Sequence, residues 1–189
     1  MIRASDPIPF MLSVIIATHD SERALVHTLA ALVPGATAGV VREVIVADGG
    51  SRDETEQVAD IAGCVFLKSG QSLGARLTEA AERTRGDWLM FLGPGVVPGA
   101  AWIEDTAGFV QGQAKAATFS APPAGLGGWI RRLFATLPAN EQGLVIRKVF
   151  YAELGGHRAE AGDPERDLLR RIGRSRLTVL RTQVSRSDI

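Results

Sequence analysis

The sequence is poor in cysteine and has no long hydrophobic run. Its one cysteine, Cys64, begins the apolar segment CVFL, so an internal disulfide is excluded and a buried structural thiol is favoured over a reactive one. No apolar stretch approaches the roughly 20 residues of a membrane span, and residues 1–10 contain no hydrophobic segment before a cleavage site. We therefore expect a soluble, cytoplasmic protein without a transmembrane segment.

The sequence also lacks an excess of charge of either sign. Lys and Arg together number 21, as do Asp and Glu, so the net charge at neutral pH is near zero. This balance argues against a protein that binds nucleic acid or an anionic membrane with its whole surface. The amphipathic segment WIRRLF at 129–134 leaves peripheral membrane contact open, but packing against the core with solvated arginines is the favoured interpretation.

Apolar segments of strand length alternate with segments of helical periodicity in the first half of the chain. Strands are predicted at 12–17, 44–47, 64–67 and 88–92, and helices at 21–33, 53–62 and 73–84. We expect Ser21 to cap the first helix and Pro34-Gly35 to end it. This alternation predicts a doubly wound α/β fold, with a mostly parallel sheet and helices on both faces.

The second half of the chain is less regular. Its predicted elements are helices at 102–110, 129–134 and 167–172, strands at 116–120, 143–146 and 177–180, and a linker at 122–128. With 46% hydrophobic residues, the chain of 189 residues can form one core. We therefore expect a single domain that spans 1–189.

Two glycine patterns that bind phosphate groups are missing. The first predicted strand is not followed by G-x-G-x-x-G, and no segment has the P-loop spacing that ends in Gly-Lys-Ser or Gly-Lys-Thr. Rossmann dehydrogenases and P-loop kinases are therefore excluded. Ligands bind beyond the carboxyl ends of the strands in an open parallel sheet. There this chain has polar loops at 18–22 and 48–51, but only Gly93-Pro94-Gly95 after the strand at 88–92.

Four blocks, in order, resemble the family 2 glycosyltransferases, which have the GT-A fold. LSVIIATHDSE at 12–22 is similar to the family's S-V-I-I-P-T-x-N-x-E, and EVIVADGGSRD at 43–53 is similar to E-V-I-V-V-D-G-G-S-T-D. RGDWLMFL at 85–92 is similar to the segment that enters the family's metal loop. RLF, EQGLVIRK and LGG, between 132 and 156, resemble a small bacterial subgroup. The resemblance covers roughly residues 12–181, and its specificity lies in the order of the four blocks.

The resemblance implies a nucleotide-sugar donor, either a UDP-sugar or a GDP-sugar, and an acceptor of unknown identity. It divides the domain into a nucleotide-binding half at 12–110 and an acceptor-side half at 111–189. It also implies that the carboxylate of Asp48 accepts hydrogen bonds from the nucleobase. The other residues that it places around the nucleotide are Thr18, His19, Gly49 and, as supporting acids, Glu22 and Asp53. The residue type of Asp48 equally allows a structural role, in which it closes an Asx-turn.

The loop Gly93-Pro94-Gly95 departs from the family. Family members normally carry carboxylates there, in motifs such as F-L-D-x-D, and these hold a divalent ion on the sugar diphosphate. Because glycine replaces them here, we expect no divalent metal. Metal-independent transfer, with a cation such as Arg76 in place of the ion, and a lineage in which catalysis has decayed both stay open. Leu73 and Thr78 also replace the subgroup's Arg and Asn at two expected diphosphate contacts.

Three neighbouring acids are candidates for the general base. Inverting members of the family use a carboxylate before a helix to deprotonate the acceptor hydroxyl. Alignment on LLRRIGR at 168–174 places Glu165 at the base position and Asp167 at the second acid, whereas a gap would promote Asp163. The alternative is acidic charge that favours the first turn of a helix. Glu141, which matches the acid of the subgroup's D-Q-G, is a weaker candidate for a site residue of unspecified role.

The sequence thus leaves two functions open. The first is an inverting, metal-independent transfer of a hexosyl group from a nucleotide-sugar. The second is a catalytically inactive GT-A scaffold that acts as a nucleotide-binding or protein-interaction module. The block around Asp48 favours the first function, and the Gly93-Pro94-Gly95 loop favours the second.

Overall fold

A computed structural model gives the structure of the chain and describes residues 10–112, 114–120 and 142–187. Its strands are β1 (Leu12–Thr18), β2 (Val41–Asp48), β3 (Val65–Lys68), β4 (Trp88–Leu92), β5 (Val96–Pro98), β6 (Ala116–Ser120), β7 (Leu144–Arg147) and β8 (Leu177–Arg186). Its helices are α1 (Glu22–Thr37), α2 (Thr55–Ile61), α3 (Leu73–Arg83), α4 (Trp102–Val110), α5 (Lys148–Glu153) and α6 (Pro164–Ile172), and a 3-10 turn (Arg174–Arg176) follows α6.

The described strands form one sheet in the order β3-β2-β1-β4-β7-β6-β8-β5. β1 pairs in parallel with β2 on one side and with β4 on the other, and β3 extends this parallel half beyond β2. β7 runs antiparallel to β4 and β6, β8 is parallel to β6, and β5 is antiparallel to β8. The predicted α/β fold with a mostly parallel sheet is confirmed.

Alternate residues of the central strands pack into two apolar layers. Val14 and Ile16 of β1 lie in the layer that contains α1, α2 and α4, whereas Ile15 lies in the layer that contains α3, α5 and α6. All five residues of β4 are buried, as expected for a strand whose two faces are both covered by helices. The continuous apolar runs of the sequence therefore reflect burial on both sides of the sheet.

The predicted start and end of the first helix are corrected by the structure. Ser21 occupies the N-cap position, but its hydroxyl donates to the carbonyl of His19 (3.0 Å) and caps no helical N–H group. α1 continues through Pro34 and Gly35 to Thr37. Gly35 packs so closely on Trp102 of α4 that a Cβ atom there would lie 2.5 Å from the indole ring. Tertiary packing thus extends the helix beyond its local stop signal.

Other differences concern short or late elements. The short elements β5 and α5 are not predicted, and β8 extends to Arg186 because its end pairs with β5. α6 begins at Pro164 because Asp163 caps it by accepting a hydrogen bond from the N–H of Arg166 (2.9 Å). The predictions for 122–128, 129–134 and Glu141 lie outside the described residues. Within the described part of the chain, no helix has both the length and the apolarity to cross a membrane.

Candidate functional site

The carboxyl ends of β1, β2 and β3 lie side by side at one edge of the sheet. Thr18 at the end of β1 is the ladder partner of Asp48 at the end of β2, and Asp48 is in turn the partner of Lys68 in β3. The loops after β1 and β2 hold most of the residues predicted to surround a nucleotide. The structure therefore brings Thr18, Asp48 and Gly49 together, as the sequence implies.

Asp48 is fully buried, and among the described residues the donors to its carboxylate are Thr18, Gly50 and Ser51. One oxygen accepts from the hydroxyls of Thr18 (2.9 Å) and Ser51, and the other accepts from the N–H groups of Gly50 and Ser51 (2.8 Å each). Burial disfavours the charged form, but the bonds from Ser51, Gly50 and Thr18 together outweigh it and lower the pKa of Asp48 below its ordinary value. This geometry is the Asx-turn alternative, and a nucleobase could contact Asp48 only by displacing one of these bonds.

Backbone N–H groups and polar side chains join the loop after β1 to the loop after β2. The donor and acceptor pairs are Asp20 N to Ser51 Oγ (2.8 Å), Arg52 N to Asp20 Oδ1 (2.7 Å), Ser21 N to Thr55 Oγ1 (3.0 Å) and Glu22 N to Asp53 Oδ2 (3.0 Å). Asp20 adopts a φ of 47°, a left-handed conformation that Asp tolerates better than most residues. The sequence did not single out Asp20, although its polar, turn-forming side chain follows the predicted strand directly. These four hydrogen bonds hold the two loops together.

The two predicted supporting acids and His19 occupy different environments. Burial disfavours ionised Asp53, but hydrogen bonds from Thr55 and from the backbone N–H of Glu22 outweigh it and lower the pKa of Asp53. The side chain of Glu22 is half-buried and makes no hydrogen bond or ion pair with the described residues. His19 is 65% exposed at the rim, and its Nε2 lies 3.8 Å from a carboxylate oxygen of Asp20. Asp53 is therefore structural, whereas Glu22 and His19 keep side chains that a ligand can approach.

Arg76 reaches this corner of the sheet from α3. Its Nη1 donates to the carbonyl oxygens of Thr18 (3.1 Å) and Ala47 (2.6 Å), which fixes the guanidinium at the ends of β1 and β2. A Cβ atom on Gly49 would lie 3.0 Å from Cζ, Nη1 and Nη2 alike, so the guanidinium lies flat against this glycine. Burial lowers the pKa of Arg76 and the nearby charge of Asp48 opposes this shift. A residue larger than glycine at position 49 would have to displace the guanidinium.

The turn after β4 is held by hydrogen bonds of its own backbone. Val96 N donates to Gly93 O (3.2 Å), Ser187 N donates to Gly95 O (2.9 Å), and Gly95 N donates to Ala24 O (3.1 Å). Gly93, Pro94 and Gly95 supply no side-chain oxygen, and two of the three carbonyl oxygens already accept a hydrogen bond. Divalent cations need several oxygen ligands, so the donor set of this turn does not fit such an ion. Among the described residues, no group of three or more His, Cys, Asp and Glu side chains could hold a metal.

The three candidate bases lie in the first turn of α6, and they differ in their partners. Asp163 caps the helix and lies 3.4 Å from the guanidinium of Arg166. Asp167 accepts a hydrogen bond from Arg171 Nε (2.9 Å) and forms an ion pair with Arg171 Nη2 (2.8 Å). Glu165 is half-buried and makes no hydrogen bond or ion pair with the described residues. Burial, and then the negative charge of Asp163, raise the pKa of Glu165 to about 7. Glu165 is thus the candidate whose oxygens stay available to an acceptor.

The loop before α6 packs on the amino-terminal part of α3. The hydroxyl of Ser72 donates to Ala159 O (2.7 Å) and that of Thr78 donates to His157 O (2.8 Å). Gly74 abuts the backbone of Arg158 and leaves no room for a Cβ atom. α3 therefore connects the ends of β1 and β2, through Arg76, with the loop that leads to Glu165.

Sequence reasoning missed the buried pair Tyr151 and His157, which fixes this loop. The phenolic oxygen of Tyr151 lies 2.9 Å from His157 Nδ1 and accepts from the backbone N–H of His157 (3.0 Å). Burial, and then the positive charge of Arg171, lower the pKa of His157 to about 3, so its ring is neutral at neutral pH. The one available signal was that the chain's single tyrosine and a histidine flank LGG.

Two clefts lie away from this edge of the sheet. One of about 430 Å³ borders Trp88 and Arg147 at the amino end of β4. The other, of about 490 Å³, is an apolar groove between α1 and α2, bordered by Val33 and Ile61. Neither contains the predicted site residues, and ligands of parallel sheets bind at the opposite, carboxyl ends of the strands. We therefore place the functional site at the ends of β1 and β2.

A family model described as glycosyl transferase family 2 matches residues 13–160 of the chain. No curated protein matches the chain. The structure is similar to glucosyl-3-phosphoglycerate synthase from Mycobacterium tuberculosis in complex with Mn²⁺, UDP and glucosyl-3-phosphoglycerate, with 18% identity and a TM-score of 0.73 over 100% of this chain and 79% of that chain.

Two further complexes of the same synthase are also similar in structure. The complex with phosphoglyceric acid has 17% identity and a TM-score of 0.74 over 100% of this chain and 79% of that chain. The complex with Mn²⁺, UDP-glucose and phosphoglyceric acid has 18% identity and a TM-score of 0.74 over 96% and 73%. These structures share the GT-A fold that the sequence resemblance implies.

Proposed function

The chain belongs to glycosyl transferase family 2, and from this premise we propose that it is an inverting glycosyltransferase that uses a nucleotide-diphosphate sugar. The nucleobase lies against Thr18, His19 and Gly49 at the ends of β1 and β2, and the diphosphate extends toward the end of β4. The synthase structures with the same fold hold UDP and UDP-glucose, so a UDP-sugar is the first donor to test and a GDP-sugar the second.

Asp48 supports this site without contacting the nucleotide. Its carboxylate already accepts four hydrogen bonds from Thr18, Gly50 and Ser51, and these set the shape of the turn on which the base rests. A buried carboxylate that loses such bonds has no water to replace them, so a direct contact with the base would be unfavourable. We assign Asp48 a positioning role.

Transfer of the sugar is supported by one observation above the others, the free and half-buried carboxylate of Glu165. With a pKa of about 7, Glu165 is partly ionised at neutral pH and can take the proton of an acceptor hydroxyl. The acceptor oxygen then attacks the anomeric carbon, and the bond from that carbon to the diphosphate oxygen breaks with inversion. The nucleoside diphosphate leaves with the bonding electrons, and the proton stays on Glu165.

The proposed reaction uses no divalent ion at the Gly93-Pro94-Gly95 turn, because the ligands that this turn offers do not fit one. The same observation favours a second candidate function, a nucleotide-binding module without transferase activity. The developing charge on the diphosphate needs stabilisation in any such transfer, and the turn supplies no side chain for it. The two candidates share the nucleotide site and differ only in turnover.

Calorimetric titration with UDP, GDP and their glucose conjugates tests the shared nucleotide site. The measurements are made once with Mn²⁺ and once with EDTA, and we expect binding that does not depend on the metal. Absence of binding to all four compounds would show that the proposal is wrong, and a metal-dependent affinity would contradict our description of the turn.

Release of UDP from UDP-glucose, measured with a mixture of sugar and phosphosugar acceptors, then separates the two candidates. We expect Glu165→Gln to bind UDP-glucose like the wild type and to lose turnover. If the wild type binds UDP-glucose but releases no UDP above the rate in buffer, the binding module is the correct function.

A further inference from the structure

The guanidinium of Arg76 is fixed at the base end of the proposed nucleotide site. Both bonds of Nη1 go to the backbone carbonyls of Thr18 and Ala47, so the side chain cannot swing to the end of β4 without breaking them. Nε is buried without a hydrogen-bond partner, and Nη2 makes no hydrogen bond, within the described part of the chain. Arg76 is therefore poorly placed to replace a metal ion at the Gly93-Pro94-Gly95 turn.

The chemistry of this corner is that of a hydrogen-bond donor. A guanidinium has N–H donors and no acceptor, and the acceptor oxygens of the neighbouring Asp48 are buried and already bonded. Nη2 can therefore donate to the carbonyl oxygen O4 of uracil or thymine, or to O6 of guanine. The exocyclic amino group of cytosine or adenine would instead face a second donor and leave both groups without an acceptor.

We propose that Arg76 determines nucleobase specificity by donating from Nη2 to the carbonyl at position 4 of a pyrimidine or position 6 of a purine, which selects uracil, thymine and guanine over cytosine and adenine. The inference rests on the proposed function, because it assigns the base to the corner formed by Thr18, Gly49 and Arg76. Gly49 contributes to the same specificity, because a glycine at this position leaves the space in which the guanidinium lies flat.

UDP and CDP provide the test, because uracil and cytosine differ mainly in whether a carbonyl or an amino group occupies the 4-position. We expect the wild type to bind UDP on the order of tenfold more tightly than CDP, the effect of one hydrogen bond to a charged group. Arg76→Gln should bring the two dissociation constants within about twofold of each other, whereas the affinity for inorganic pyrophosphate stays unchanged.

A second variant displaces the guanidinium and keeps its charge. In Gly49→Ala the new Cβ atom would lie 3.0 Å from three guanidinium atoms, so the guanidinium must shift by a few tenths of an ångström, and we expect the UDP to CDP ratio to fall, but by less than in Arg76→Gln. Gly70→Ala is the matched control, because a Cβ atom at Gly70 meets nothing within 4 Å, and its ratio should equal that of the wild type.

Two results would overturn the inference while leaving the proposed function intact. The first is a wild type that binds UDP and CDP equally. The second is an Arg76→Gln variant that loses UDP, CDP and pyrophosphate binding to the same extent, which would place Arg76 at the diphosphate. A wild type that binds no nucleotide would refute both the inference and the proposed function. Thermal unfolding of each variant shows whether a lost ratio reflects a lost fold.

Discussion

At the residue scale, the chain places carboxylates in opposite environments. Asp48 is buried among four hydrogen bonds that keep it ionised, although burial alone would favour the protonated form. Glu165 has no such bonds within the described residues, and burial together with Asp163 raises its pKa to about 7. One carboxylate is therefore a fixed structural charge, and the other can exchange a proton near neutral pH.

The pH dependence of transfer should follow the ionisation of Glu165. A general base acts when it is deprotonated, so kcat/KM should rise with pH and level off above about pH 7. Asp163→Asn removes the smaller of the two causes of this raised pKa, leaves burial in place and keeps a good helix cap, so the rise should move part of the way to lower pH. Glu165→Gln should reduce kcat by about 10² to 10⁴. Steady-state UDP release from pH 5 to 9 measures all three effects.

Glu165→Gln also has an expected effect on stability, which is measured independently of activity. The pKa of Glu165 is higher in the folded state than the ordinary value of 4.5, so its contribution to stability is lost as pH rises from 4.5 to about 7. Glu165→Gln should therefore be more stable than the wild type at pH 8, by about 1 to 2 kcal/mol after allowance for partial exposure. Equal midpoints of urea unfolding for Glu165→Gln and the wild type at pH 8 would show that the folded state does not raise the pKa of Glu165.

At the scale of elements, the turn after β4 is hydrogen-bonded to distant parts of the chain. Its backbone bonds to Ala24 of α1 and to Ser187 beyond β8, and Gly95 adopts a φ of 83°. A Cβ atom on Gly95 would lie 2.6 Å from the carbonyl oxygen of Ser187. The backbone geometry thus requires glycine at position 95. The absence of the family's carboxylates from this turn is a separate property.

Two glycine-to-alanine changes should have opposite effects on stability. Gly95→Ala should destabilise the fold by about 2 kcal/mol, because the residue would combine a left-handed φ with a close backbone contact. Gly108→Ala in α4 meets nothing within 4 Å and should stabilise the fold by about 0.5 to 1 kcal/mol through helix propensity. Urea denaturation measures both changes. A Gly95→Ala variant as stable as the wild type would show that this turn tolerates a side chain.

At the scale of the whole molecule, buried polar groups in both halves make the fold sensitive to acid. Ser13 and Arg85 bind Glu43, and burial of Glu43 is outweighed by these bonds, so its pKa is lowered. The pKa of Asp48 is lowered as well, and stability from both carboxylates is lost as pH falls. His157, 4% exposed and with a pKa of about 3, must also become charged at low pH.

Acid unfolding should therefore depend on His157. Its folded pKa lies below the ordinary value of 6.5, so its contribution is complete above pH 6.5 and is lost as pH falls toward 3. We expect the unfolding free energy of the wild type to fall by a few kcal/mol over this range. In His157→Gln the slope should flatten, whatever the variant's stability at pH 7.5. Urea titrations at several pH values give the slope of the unfolding free energy against pH. If this slope is the same in His157→Gln as in the wild type, the low pKa of His157 is wrong.

The sequence by itself determined the family and the alternation of strands and helices, and it pointed to the loops that carry the candidate site. These features depend on contiguous residues, since hydrophobic periodicity and motif order are local properties. Helix and strand bounds failed where distant partners intervene, as at Gly35 against Trp102 and at the pairing of β5 with β8.

Only the tertiary structure decided which candidate side chains are available for chemistry. Residue type could not show that the oxygens of Asp48 are all bonded or that Arg76 lies against Gly49. Nor could it show that Asp163 and Asp167 have partners whereas Glu165 has none among the described residues. Availability depends on burial and on hydrogen bonds between residues far apart in the chain, such as Arg76 and Thr18, which are 58 positions apart. Such contacts exist only once the sheet has formed, so no local pattern in the sequence records them.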